Sequence, residues 1–201
     1  FDAMVYERSF PIFAGTTIPV KELGWADWFT GRGITGITVG ITGESAVNPQ
    51  IPAICLPFAI SHEMAHRMCI AGERDGHFAA FLTCSANESV EFQYSAYFMA
   101  YRFCYDVLNA SNDMEATGAA ARVKNGVSDQ LYQDMLTYDQ FFSNTGSSTV
   151  SNTTAEVCDL LVSWHIQEVV LPSITVVEDP FDPLDEDQVD LSGIVNAKTG
   201  G

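Results

Sequence analysis

His62 and His66 stand four residues apart with Glu63 directly after the first of them. That spacing commits this part of the chain to a helix if the three side chains are to act together. At about 100° per residue, the two imidazoles lie about 40° apart, one turn above the other. Both can then bind a single metal ion, while Glu63 projects from an adjacent direction toward a water on that ion. Two nitrogen ligands beside a carboxylate able to take a proton is the HExxH arrangement of zinc peptidases. The bland alternative is a capped core helix with two hydrogen-bonded histidines.

A catalytic zinc takes three protein ligands and keeps one position for water, so another side chain is required. Glu73 lies seven residues after His66. Along one continuous helix that is roughly 10 Å, too far for two bonds of about 2 Å to one ion. The helix must therefore turn, and Gly72, which readily takes a left-handed conformation, is placed to allow it. After the turn Glu73 and His77 are i and i+4 and share a face, while Asp75 points away from both. Glu73 is the better third ligand on this geometry. His77 suits a supporting contact behind the ligands or a ligand role of its own, and Asp75 is the runner-up. Cys69, three residues after His66, offers a thiolate alternative. Without the HExxH nearby, Glu73 would read as a residue favouring a helix N-terminus.

Charge narrows the partners. The net charge of −17 argues against nucleic acid and anionic membrane surfaces, both of which repel it. Acidic residues concentrate toward the C-terminus, where residues 177–201 read as a solvated acidic tail. Asp182, Asp185, Glu186, Asp187 and Asp190 offer oxygens to calcium, but their spacing matches no EF-hand loop and prolines interrupt it. Five cysteines without a CxxC pair read as buried thiols in apolar surroundings. The longest apolar runs fall short of the ~20 residues a membrane span needs. The first residue is Phe1, without a signal-peptide pattern, which reads as a trimmed end.

A chain of 201 residues, 47% apolar, suffices for one domain with an appendage. We expect a domain over residues 1–176, with a Gly/Thr-rich β element in 1–50 and a helical body over 57–171. Within the first part, the run from Gly33 to Gly43 alternates glycines with β-branched residues and reads as an irregular strand or hairpin. Zinc peptidases commonly hold an extended segment beside the metal helix, to which a substrate backbone adds as a further strand. The body reads as helices over 58–69, 73–86, 89–109, from Asn112 to Gly126, and over 128–142. A polar linker follows, then a last helix entered through a capping box of Thr153 and Glu156 and stopped by Pro172. Residues 89–109 carry too many aromatics for one stripe, so burial on most sides is expected there. The fold class is mainly α, an α+β zincin-like domain.

Three stretches together resemble one family. They are Thr42-Gly43-Glu44-Ser45-Ala46-Val47-Asn48, Leu56-Pro57-Phe58-Ala59-Ile60-Ser61 running into His62–His66, and Glu73-Arg74-Asp75-Gly76-His77-Phe78. The pattern is similar to the bacterial membrane-anchored, zincin-like family catalogued as domain of unknown function 3810. Similarity continues through Tyr94-Ser95-Ala96-Tyr97 and the segment from Cys158 to Trp164. The resemblance implies gluzincin logic: His62, His66 and Glu73 as zinc ligands, Glu63 as base. It also implies hydrophobic helices ahead of this region, hence a membrane-anchored protein of which this chain is a soluble portion, with the extracytoplasmic side favoured. Departures are local: Asp75, Gly76 and His77 stand where the family usually has Glu-Ala-Asn, and Cys69 where Gly is common.

The expected function is a zinc metallopeptidase acting on a peptide or protein substrate. Tyr94, Tyr97, Tyr138 and His165 are candidates for stabilising the oxyanion. The alternative is a zinc-binding, non-catalytic sensor or structural domain using the same metal face. Nothing in the chain sets an oligomeric state.

Overall fold

The computed structural model describes residues 18–143 and 152–170. The acidic tail, its calcium reading and Pro172 lie outside the described residues. The chain divides into two compact units, the first ending at Ser163 and the second beginning at Trp164; of the second, residues 164–170 are described. The protein is mainly helical with one small sheet near its N-terminus. No helix among the described residues is long and apolar enough to cross a membrane.

Three short strands form the sheet: β1 (Lys21–Glu22), β2 (Gly36–Val39) and β3 (Glu44–Val47), in the order β1-β3-β2. Between β1 and β2 lies the one-turn helix α1 (Ala26–Thr30). The Gly/Thr run does form a hairpin, with β2 antiparallel to β3 and Ile37 opposite Ala46. Gly43 closes it at φ 66°, a left-handed conformation that glycine takes without steric cost. β1 joins β3 in parallel, so β2 stands at an edge of the sheet. Alternation sends Thr38 and Ser45 to the helical side, where both hydroxyls meet Glu63. Just past β3, fully buried Asn48 bonds Thr30 and the Ile34 carbonyl, tying the hairpin to α1.

Pro57 sits in the first turn of α2 (Leu56–Arg67), where its missing N–H removes no helical bond. A short 3-10 turn, Ala53–Cys55, leads in. Cys55 gives this helix no side-chain cap. Ser95, 37 residues after Phe58, does so instead: its hydroxyl accepts from Phe58 N at 3.2 Å and donates to Ile54 O. Helix α3 (Glu73–Ser85) packs on α2 through the small buried residues Gly76, Ala79, Ala80 and Thr83. Then come α4 (Val90–Ala110), α5 (Met114–Gly126), α6 (Asp129–Ser143) and α7 (Asn152–His165), the last continuing as a π-helical turn, Ile166–Val170.

The turn after α2 differs from expectation. Gly72 is extended, at φ −77° and ψ 131°. The left-handed residue is Cys69, at φ 69°. Cys69 N bonds His66 O and Ile70 N bonds Ala65 O, the paired bonds of a Schellman motif with Cys69 at C′. That position favours glycine because a Cβ is crowded there. Cys69 is exposed rather than buried, and Cys104 and Cys158 are half-buried with their sulfurs 3.3 Å apart.

Two further expectations shift. Asp113, not Asn112, caps α5: its carboxylate accepts from Glu115 N at 3.1 Å. Helix α7 has already begun at Asn152, so Thr153 lies inside its first turn rather than at the cap. The aromatic helix α4 is buried or half-buried over most of its surface, as its aromatic content suggests, and keeps one exposed stripe at Val90, Tyr94 and Tyr97. Ser95, Phe98, Met99 and Arg102, spaced at one helical face, are buried while Tyr97 is 58% exposed. Tyrosine tolerates that exposure because its hydroxyl end is polar.

Candidate metal centre

One face of α2 and the first turn of α3 bring His62, His66 and Glu73 together. His62 is buried, His66 half-buried and Glu73 exposed at the mouth of the site. His62 Nε2 lies 3.0 Å from His66 Nε2 and 3.1 Å from Glu73 Oε2, and His66 Nε2 lies 3.5 Å from Glu73 Oε1. Three donors each about 2 Å from one tetrahedral ion stand about 3.3 Å apart. The observed separations bracket that value, so the residues fit a single ion such as Zn2+. Among the described residues this is the cluster whose atoms could hold one.

The turn that Cys69 makes also orients a ligand. It brings the Ile70 carbonyl to 2.7 Å from His66 Nδ1. That nitrogen therefore carries the proton and donates, leaving the Nε2 lone pair directed at the other donors. His62 is held differently, by ring stacking. His77 lies against it at 4.1 Å between centroids and is itself stacked on Phe58 and tilted against Phe103. Neither His62 Nδ1 nor His77 Nδ1, both buried, finds a hydrogen-bond partner. Gly76 makes the approach of α3 feasible. A Cβ there would come within 3.1 Å of His62 Cε1 and 3.3 Å of His66 Cε1.

Glu63 sits beneath the hairpin. Thr38 Oγ1 is 2.7 Å from its Oε2, and Ser45 Oγ donates to its main-chain carbonyl at 3.0 Å. Arg67 Nε in turn donates to Ser45. Gly36 passes so close that a Cβ would meet Glu63 Oε1 at 2.5 Å. Burial raises the Glu63 pKa above the usual carboxylate value, opposed chiefly by the Thr38 hydrogen bond. Glu73 moves the other way, to about 2, chiefly because of its hydrogen bond with His62. Two carboxylates of one site are thus pushed apart, one toward holding a proton and one toward staying charged.

The predicted residues divide cleanly. His62, Glu63, His66 and Glu73 line one cleft of about 570 Å³ with β2 and the loop before it, and His77 lines it too. Asp75 is turned outward and bonded to Arg74 at 2.8 Å, so it is no ligand. His77 and Cys69 are outside the convergent donor set. Burial is the main cause that pulls His77 down to about 3 and keeps it neutral. Tyr94 bonds Asp134, Tyr97 packs edge-on against Phe81, and Tyr138 lines a neighbouring cavity; none of the three lines the cleft. His165 belongs to the second unit.

Sequence reading missed Thr38, Ser45, Gly36 and Gly76 as parts of the site. For Gly36 and Thr38 the signal was alternation in the Gly/Thr run, which places both on one face without saying what they meet; Ser45 and Gly76 lie outside that run.

A model of the family described as "Protein of unknown function (DUF3810)" matches residues 3–161, and the chain belongs to that family. Neither a curated protein nor a solved structure matches.

Proposed function

We propose that this DUF3810 family member is a zinc-dependent metallopeptidase. One observation carries the reading: three side chains able to ligate one metal ion converge beside a buried glutamate whose pKa burial raises, in a cleft walled by a sheet edge. Zn2+ bound by His62, His66 and Glu73 would supply Lewis acidity, polarising a carbonyl and lowering the pKa of a water toward ~7.

The chain's own residues supply the rest. Glu63 takes the proton of the attacking water and returns it to the leaving amine. Its elevated basicity suits that task, since a carboxylate at its ordinary pKa is a weaker base. Thr38 follows the proton. Its hydroxyl donates to Glu63 Oε2 while the carboxylate is charged and accepts once it is protonated. A peptide backbone added along the outer edge of β2 would lie beside the donor cluster, held by main-chain hydrogen bonds. Anchoring of the longer protein in a membrane is part of the same proposal and rests on the family resemblance alone.

Elemental analysis of purified protein tests the metal. Wild type should hold one zinc per chain and His62→Ala should hold none; equal trace amounts in both would sink the reading. Glu63→Gln then separates catalysis from binding, keeping zinc while hydrolysis of a peptide library disappears. If the zinc-loaded wild type cleaves nothing in any library, the peptidase reading falls and a non-catalytic zinc domain remains.

A further inference from the structure

A second cavity, of about 220 Å³, adjoins the metal cleft. The two share Thr35, His62 and His77 in their walls, so the imidazoles that bound the donor cluster on one side bound this space on the other. Its remaining wall is mostly apolar, with Phe58, Met99, Phe103 and Phe142 among its larger side chains and Tyr138 and Cys55 beside them. No Asp, Glu, Lys or Arg lines it among the described residues. Close-packed interiors seldom keep a void of this size. An apolar cavity of about 150 Å³ is enough to take a benzene ring.

We propose that this cavity receives one large uncharged side chain, aromatic or branched aliphatic, of a peptide lying in the cleft. The proposal rests on reading the cleft as a peptide site. It names the substrate class: chains with a bulky apolar residue next to the position held at His62, His66 and Glu73. Charged side chains are disfavoured because no Asp, Glu, Lys or Arg in the wall offsets their desolvation. Small side chains leave the cavity unfilled, which in apolar pockets costs about 10-fold or more in selectivity.

Two measurements test it separately. In metal-free full-length chain, the Met99 methyl signal is followed by NMR against N-acetyl-phenylalaninamide and N-acetyl-alaninamide. The first should shift it at millimolar concentration and the second should not; no shift, or equal shifts, overturns the proposal whatever the metal does. With zinc-loaded protein, a peptide library should be cut beside Phe, Leu or Met at least ~10-fold faster than beside Ala or Asp. Phe142→Ala, which opens the wall, should move that preference toward Trp. Cleavage indifferent to the flanking residue overturns the proposal while leaving the peptidase reading intact. A Met99 shift with no cleavage does the reverse: the pocket stands and the peptidase reading falls.

Discussion

Two clusters of ionisable side chains lie within the first unit, and they are built to opposite ends. Arg102 is buried on α4 and brings its own cation. It bonds Asp106 at 2.9 Å and Asp139 at 3.0 Å, and its guanidinium lies 4.6 Å from the Tyr138 ring centre. His62, His66 and Glu73 include no Lys or Arg: His66 Nε2 is an acceptor once its Nδ1 donates to Ile70 O, and Glu73 adds a carboxylate. One cluster is closed by a charge of the chain. The other asks for a charge from outside. A cation drawn to such a set binds the folded chain in preference to the unfolded one and would stabilise it.

The comparison can be broken first with zinc itself. At a free zinc concentration a thousandfold above Kd, wild type should gain about 4 kcal/mol in stability. Glu73→Ala should gain far less, as followed by thermal unfolding with and without metal. A wild type that ignores zinc would put the two clusters in the same class. Next, Arg102→Met leaves two carboxylates facing an apolar side chain and should cost about 2–3 kcal/mol in urea unfolding, with zinc content unchanged. If zinc content fell in parallel with stability, the clusters would not be independent.

A third, smaller effect concerns Glu63. Its pKa is raised in the folded state, so it carries a penalty once ionised. That penalty is absent below the unfolded carboxylate pKa and grows as pH rises through the folded value. In metal-free protein, Glu63→Gln should therefore raise stability at pH 7 and leave it nearly unchanged near pH 4, as read by urea unfolding at the two pH values. Equal stability at both pH values would show that Thr38 already compensates the burial. The smallest effect is at the turn: Cys69→Gly relieves a left-handed Cβ and should add roughly 0.5–1 kcal/mol without altering zinc binding.

Much of the donor set was legible in the chain. His62, Glu63 and His66 fall together by the period of a helix, and Glu73 was preferred to Asp75 by the same rule after a break. The break itself was expected, but its left-handed residue was assigned to Gly72 by composition. Helix termination by a Schellman motif depends on where the last bonded turn ends, and Cys69 took the position that phase required rather than the nearest glycine. The aromatic content of α4 pointed to burial on most sides but not to which stripe, Val90, Tyr94 and Tyr97, stays exposed. Composition counts side chains; it does not count the surfaces available to cover them.

What the sequence determined alone was everything that a local period can encode: the helices, the hairpin, the shared face of His62 and His66, and the face of Glu73 on α3. What only the tertiary structure decided were the meetings between elements. Ser95 caps a helix whose own N-terminus offers no cap, Thr38 holds the Glu63 carboxylate from 25 residues away, and Gly36 and Gly76 matter because other side chains come close to them. Dihedral preferences and periodicity act over a few residues. Capping, desolvation and close approach depend on atoms that only the folded chain brings into contact.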